Sequence, residues 1–324
     1  MRSCVAIFLL LSVSTAQEPL GVYDVDWNAI SVSGLSSGAS MATQFHVAYS
    51  SHVMGVAMFA GSPYWCARGM LTRSTVACMS LPNWINLPAI YKQVDSYESN
   101  GDIDPTENML TDKVYLWHGS SDPTVSPGVQ QYVVDFYKSY VAQENIEVVS
   151  NINSGHSMPT SYHGNACKTS QADYIANCDF PGAFYALDHI YGNLEEPTRY
   201  GGVLPGRFYT YDQREFFDYP PSFSGMDTKG YVYIPSACKE VVKKKAQPGE
   251  GECRLHIVFH GCLQGRYLIG DEYARNTGYN EVAELNNIIM LYPQATWSML
   301  NVKGCWDWWG YNTPNVYVFF SAVD

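Results

Sequence analysis

Basic residues are scarce in this chain. Lys and Arg number 19 against 31 Asp and Glu, a formal net charge of −12, which argues against nucleic acid or an anionic membrane as a partner. The one basic run, Lys243-Lys244-Lys245, lies beside Gln247-Pro248-Gly249 and reads as a solvated loop. Long apolar runs are missing too: no stretch reaches the length that spans a bilayer. There is no C-x-x-C pair, and the eight histidines show no metal-ligand spacing, so neither a metal nor an organic cofactor is expected. No N-x-S/T sequon occurs, which removes conventional N-glycans from the picture. A separate binding module and a linker to carry one are also missing, so one catalytic domain over residues 17–324, acting as a monomer, is expected.

What is present points to export. Residues 1–16 read as a secretory signal: Arg2, an apolar run from Val5 to Val13, then Ser14-Thr15-Ala16 as a small-residue cleavage site. The mature protein is expected to start at Gln17 and to be secreted and extracellular. Cys4 would leave with the signal, and the remaining eight cysteines form an even set suited to an oxidising compartment. Sequence neighbours suggest Cys66–Cys78, Cys167–Cys178, Cys238–Cys253 and Cys262–Cys305, with other pairings open. Each short-loop bridge would add about 3 kcal/mol in the chain-entropy view.

The stretch Ile30 to Ala42 organises the rest. A β-branched run leads into Gly34-Leu35-Ser36-Ser37-Gly38, which fits G-x-S-x-G, and an apolar-periodic segment (Met41, Phe45, Ala48, Tyr49) follows. Alone the pentapeptide reads as a plain turn; between a strand and a helix it reads as a nucleophile elbow. Ser36 is then the candidate nucleophile and Ser37 the candidate donor of a backbone N–H to an oxyanion. The helix N-terminus that follows favours negative charge.

Taken in order, Met54 to Gly61 reads as a buried strand and residues 64–110 as a surface excursion. Lys113 to Asp122 gives a strand that delivers an acidic residue in a turn, Gly128 to Val141 a helix, and Ile146 to Ser150 a strand followed by Asn153-Ser154-Gly155-His156. Asp122 and His156 therefore each lie just beyond a strand, 34 residues apart, which leaves room for one helix and one strand. In open α/β sheets reacting groups gather at the carboxyl ends of strands. The order Ser, Asp, His supplies a weak nucleophile, a base and a carboxylate to fix the base's tautomer. Among the other histidines, His118 reads as packed in a strand, His46 and His189 as helical, and His163 as part of a disulfide loop.

A helix over Ala183–Tyr191 and a strand through Arg207-Phe208-Tyr209-Thr210-Tyr211 cross into the second half. There Gly230–Pro235, Leu255–His260 and Asn287–Pro293 read as strands, with a helix near Tyr279–Leu285. The middle strand ends in His260-Gly261-Cys262-Leu263-Gln264. In ordinary α/β-hydrolases an HG turn of this kind precedes the nucleophile and supplies the second oxyanion N–H. Here it comes far downstream of Ser36, so the economical reading is a circularly permuted α/β-hydrolase, a mostly parallel sheet flanked by helices. Cys262 would donate its N–H while its sulfur is tied to Cys305; a structural strand and turn is the alternative.

Several further motifs carry a family resemblance. Ser31 to Gly38, Phe59-Ala60-Gly61-Ser62-Pro63-Tyr64 with Cys66-Ala67-Arg68, Gly119-Ser120-Ser121-Asp122, Gly225-Met226-Asp227-Thr228, His260 to Gln264, Asn276 to Asn280, Leu291-Tyr292-Pro293-Gln294-Ala295 and Gly304-Cys305-Trp306-Asp307-Trp308 occur in this order. Over about residues 25 to 310 the chain resembles the extracellular poly(3-hydroxybutyrate) depolymerases of the circularly permuted, single-domain type. The resemblance implies an α/β-hydrolase that cleaves a water-insoluble polyester, with a triad falling on Ser36, Asp122 and His156 and an oxyanion hole on Ser37 and Cys262. The chain departs from the family after the tryptophan-rich motif, where residues 312–324 form an atypical apolar tail.

With no adsorption module, polymer contact would fall to the domain's own surface. Trp306 and Trp308, with Trp309 and Tyr311, are candidate substrate-binding aromatics, against core packing for at least half of them. The expected function is a secreted serine esterase acting on poly(3-hydroxybutyrate)-type polyester or its oligomers. A carboxylesterase for small or plant-wall (feruloyl or acetyl) esters and a non-catalytic secreted binding protein on the same fold are the rivals.

Overall fold

The computed structural model describes residues 18–241 and 253–312. The expected secretory signal at residues 1–16, the basic run at 243–245 and the tail from 313 onward lie outside the described residues.

Eight strands form one sheet: β1 (Val25–Leu35), β2 (Val53–Phe59), β3 (Lys113–Trp117), β4 (Ile146–Val149), β8 (Arg207–Asp212), β9 (Lys229–Ile234), β10 (Cys253–Phe259) and β11 (Ile288–Tyr292). Their order across the sheet is β4-β3-β2-β1-β10-β11-β9-β8. β9 runs antiparallel to both neighbours and the other pairs are parallel. β5 (Met158–Thr160), β6 (Asn165–Ala166) and β7 (Ile175–Asn177) make a small separate sheet in the order β5-β7-β6.

Both faces of the large sheet are covered, which is why its central strands read as unbroken apolar runs rather than alternating ones. Successive side chains still part company by strand periodicity. Val56, Met58, Val114 and Leu116 enter one core with Ala39, Val47 and Phe136, while Ala57, Phe59, Tyr115 and Trp117 enter the other with Ala186, Leu187 and Val282. Helix α1 (Ser37–Ala48) and the helices Leu87–Asn100 and Gly128–Tyr137 supply the first core; Gly182–Tyr191 and Tyr279–Asn286 supply the second.

The expected strands all form, within a few residues of their anticipated ends. The segment 64–110 is not the mere surface excursion its polar composition suggests. Its helix Leu87–Asn100, capped by the Asn86 side chain on Ala89 N–H at 3.0 Å, buries Ile90 and Val94, one helical turn apart on one face. Tyr64, Ala67, Cys78 and Met109 are also buried. The four bridges Cys66–Cys78, Cys167–Cys178, Cys238–Cys253 and Cys262–Cys305 are formed.

Candidate active site

β1 delivers Ser36 at the centre of the sheet. Its backbone stands at φ 57° and ψ −116°, a strained conformation for a residue with a side chain, costing about 1–3 kcal/mol. The surroundings enforce it: Ser36 N–H donates to Phe59 O at 2.8 Å and Ser36 O accepts from Ser40 N at 3.0 Å. The two flanking glycines are steric requirements. A Cβ on Gly34 would sit 2.3 Å from the Gly38 carbonyl carbon, and one on Gly38 would sit 2.1 Å from Phe259 O. Bringing β10 this close to the elbow is what places the HG turn beside Ser36.

Asp122 and His156 come from two loops knitted together beyond β3 and β4. Ser120 N–H donates to Ile152 O and Ser121 N–H to Ser154 O, at 2.9 and 3.1 Å. His156 Nδ1–H then donates to Asp122 Oδ2 at 2.7 Å, while Asp122 Oδ1 accepts from Thr124 and Val125 N–H at 2.8 and 3.0 Å. With its proton on Nδ1, the imidazole keeps a lone pair on Nε2. Burial alone would raise the Asp122 carboxyl, but the hydrogen bond and charge of His156, with His118 and the Val125 N–H, hold it below the usual carboxylate value.

His118 is packed as expected, but not idle. Its Nε2–H donates to Val125 O at 2.9 Å and lies 3.4 Å from Asp122 Oδ2. Burial pushes its pKa down, against the pull of Asp122 and the Val125 carbonyl. The remaining candidates are engaged elsewhere: His46 with Asp112, His189 with Glu147 and His163 with Glu272.

Ser36, Ser37, His156, Cys262 and Trp308 all line one cleft of about 290 Å³. Asp122 sits behind His156, out of the lining. Neither Ser37 N–H nor Cys262 N–H has an acceptor among the described residues, so both are available to a bound oxygen. Ser37 opens α1 and gains the helix dipole. The peptide that carries Cys262 N–H is held from its carbonyl side, since Gly261 O accepts from His260 Nδ1 at 2.7 Å and from Gln264 N at 3.3 Å. His260 Nε2 accepts from Ala295 N–H at 3.1 Å, which fixes the tautomer, and burial takes its pKa down to about 4.

Trp306 is corrected by the structure. It is only 3% exposed, packs edge-on against Phe259, donates its indole N–H to His260 O at 2.9 Å and does not line the cleft. It braces the end of β10, beside the Gly261–Cys262 turn. Trp308 and Trp309 do line the cleft, though both are largely buried. The exposed apolar groups at the mouth are aliphatic: Leu71, Leu300 and Val302 line the cleft, and Met299, 91% exposed, adjoins them.

One cluster went unmarked in the sequence. Beneath Ser36, His256 Nδ1 and Nε2 meet Ser31 and Ser33 hydroxyls at 2.6 and 2.7 Å, and Ser33 Oγ meets Tyr279 OH at 2.7 Å. Burial lowers the His256 pKa to about 3. The only sequence signal is polar residues inside two apolar strands, and their meeting depends on the Ser31–His256 pairing of β1 with β10.

The mostly parallel sheet, with a strained serine turn at its centre and the Asp122-paired His156 opening on the same cleft, defines an α/β-hydrolase. No protein-family model matches the chain. It is 36% identical over 335 residues to a polyhydroxybutyrate depolymerase of Talaromyces funiculosus, covering 97% of this chain and 93% of that one. It is 40% identical over 293 residues to a poly(3-hydroxybutyrate) depolymerase of Delftia acidovorans, covering 90% of this chain but only 56% of that relative's length. A PHB depolymerase serine-to-alanine variant complexed with an R3HB trimer superposes with a TM-score of 0.80 at 35% identity, over 92% of this chain and 93% of that one. The PHB depolymerase of Penicillium funiculosum gives 0.79 over the same shares. The chain belongs to the poly(3-hydroxybutyrate) depolymerase family.

Proposed function

We propose that this protein is a secreted serine esterase that hydrolyses poly(3-hydroxybutyrate)-type polyester or its oligomers. The observation that carries the reading is the convergence of Ser36, on its strained turn, with the Asp122-paired His156 on one cleft. His156 Nε2 takes the Ser36 proton as Oγ attacks the ester carbonyl, and Asp122 holds the tautomer and offsets the imidazolium charge. The oxyanion rests on Ser37 and Cys262 N–H. His156 then protonates the leaving hydroxyl, and water releases a hydroxyacid from the acyl-enzyme. Trp308 and Trp309 pack along the chain being cut, and the aliphatic rim of Leu71, Leu300 and Val302 meets the water-insoluble polymer.

Two supporting features belong to this reading. Circular permutation is supported by the sheet order, since β10 with its HG turn comes late in the chain yet lies next to β1. Secretion is supported by the apolar leader at residues 1–16 and by four bridges that need an oxidising compartment. One sheet that draws strands from both halves supports a single catalytic domain.

A fluorophosphonate should label the folded protein once, on the peptide bearing Ser36. In a panel of amorphous poly(3-hydroxybutyrate), p-nitrophenyl butyrate and feruloyl esters, the polymer and the butyrate should be cleaved. Cleavage of the feruloyl esters alone would move the substrate class, and absence of labelling would refute the serine mechanism.

A further inference from the structure

Gln264 lines the cleft but is only 1% exposed, and both ends of its carboxamide are used. Oε1 accepts from Gly261 N–H at 2.6 Å, and Nε2 donates to Asp173 O at 2.7 Å. A donor at one end and a carbonyl at the other leave the amide a single orientation. The approach to Gly261 is so close that a Cβ there would meet Gln264 Oε1 at 2.6 Å.

The far end of this contact is the loop that flanks His156. Asp173 and Tyr174 both have left-handed backbone, at φ 72° and 44°. The Tyr174 ring stands edge-on to the His156 imidazole with centroids 6.1 Å apart, and Ser170 Oγ accepts from His156 N–H at 2.7 Å. The Cys167–Cys178 bridge closes the same loop. One buried side chain therefore connects the turn bearing Cys262 to the segment that packs on His156.

We infer that Gln264 is a positioning residue that sets the Cys262 oxyanion donor in register with the His156 imidazole. The inference rests on the esterase reading above. The two elements arise from distant parts of the chain, and the transition state needs them placed together. A misplacement of about 1 Å at such a site costs on the order of 100-fold in rate, whereas a satisfied, buried amide holds its neighbours with little freedom.

The test compares wild type, Gln264→Asn and Gln264→Glu on p-nitrophenyl butyrate. It reads kcat, KM and the rate of fluorophosphonate labelling across about pH 5 to 8, with circular dichroism to follow folding. Gln264→Asn keeps the amide but is one methylene too short for both partners. Its kcat and labelling rate should fall about 10- to 100-fold with KM within about twofold. Gln264→Glu presents a carboxylate to the Asp173 carbonyl at neutral pH, while its protonated form can donate there again. Its activity relative to wild type at each pH should therefore rise about fivefold or more on acidification.

Folded variants with wild-type labelling rates and a flat ratio would overturn the inference, even if their Tm falls. Should the Asn variant not fold, the pH ratio of the Glu variant decides alone. A wild-type protein that neither labels nor turns over would refute the esterase reading and the inference with it, a failure visible without any variant.

Discussion

Replacing Asp122 by Asn should leave the protein folded and nearly abolish turnover, for a reason visible in its hydrogen bonds. Oδ1 accepts two backbone N–H groups, from Thr124 and Val125, and Oδ2 accepts the His156 Nδ1 proton. An asparagine has one oxygen to share between these sides. Turning its NH2 toward the two N–H groups would forfeit two buried bonds, each worth about 1 kcal/mol or more, and set donor against donor. The oxygen therefore stays with the backbone and the NH2 faces His156. That imposes the tautomer protonated on Nε2, which cannot accept the Ser36 proton. A carboxylate-to-amide change with this consequence lowers kcat by about 10⁴ in serine proteases. Initial rates with p-nitrophenyl butyrate under saturation, with circular dichroism to verify folding, give the assay. A folded Asp122→Asn protein within about tenfold of wild type would refute the tautomer argument.

Other parts of the account can be checked as directly. Gly38→Ala should destabilise by about 3 kcal/mol or more, because its Cβ would fall 2.1 Å from Phe259 O; an unchanged urea midpoint would mean the elbow has slack that the structure does not show. His256 and His260 are buried with pKa values lowered to about 3 and 4, below an unfolded value of about 6.5. Their neutral forms therefore support folding fully above about pH 6.5, and that support is lost progressively as pH falls, on the order of 1.4 kcal/mol per group per pH unit until each folded value is reached. Urea midpoints from pH 7 to about 3 should decline accordingly, with the depressed Asp122 carboxyl adding a further loss below about pH 3.9, and a flat profile would contradict this. On the rim, Leu300→Asp with Val302→Asp should cut hydrolysis of polymer film about tenfold while leaving p-nitrophenyl butyrate within about twofold, since both side chains are largely exposed at the cleft mouth; equal losses on both substrates would assign the rim to the chemistry instead.

The geometry of the candidate site was legible in the sequence where local constraint is severe. Gly34 and Gly38 mark a turn that no larger residue fits, Asp122 follows an apolar run that becomes the buried strand β3, and His156 follows the short, partly exposed edge strand β4. Burial on both sheet faces made the central runs of β2 and β3 continuous and easy to find. What escaped depends on pairing between distant segments. His256 meets Ser31 only because β1 and β10 are neighbours in a particular register, and the His118 contact with Asp122 needs the turn after β3 to fold back. The three strands of the small sheet are two or three residues each, too short for any alternation to show. Trp306 and Trp308 sit two residues apart in one motif and both pack into the core, yet only Trp308 also lines the cleft, a difference the linear pattern does not carry.

The central claim, that Ser36 drives polyester hydrolysis, is tested most directly by incubating the purified protein with amorphous poly(3-hydroxybutyrate) and identifying released products by mass spectrometry, with Ser36→Ala alongside. Release of 3-hydroxybutyrate and its short oligomers by wild type, lost in a folded Ser36→Ala variant, is the predicted result. Equal release by both proteins, or no release from wild type, would contradict it.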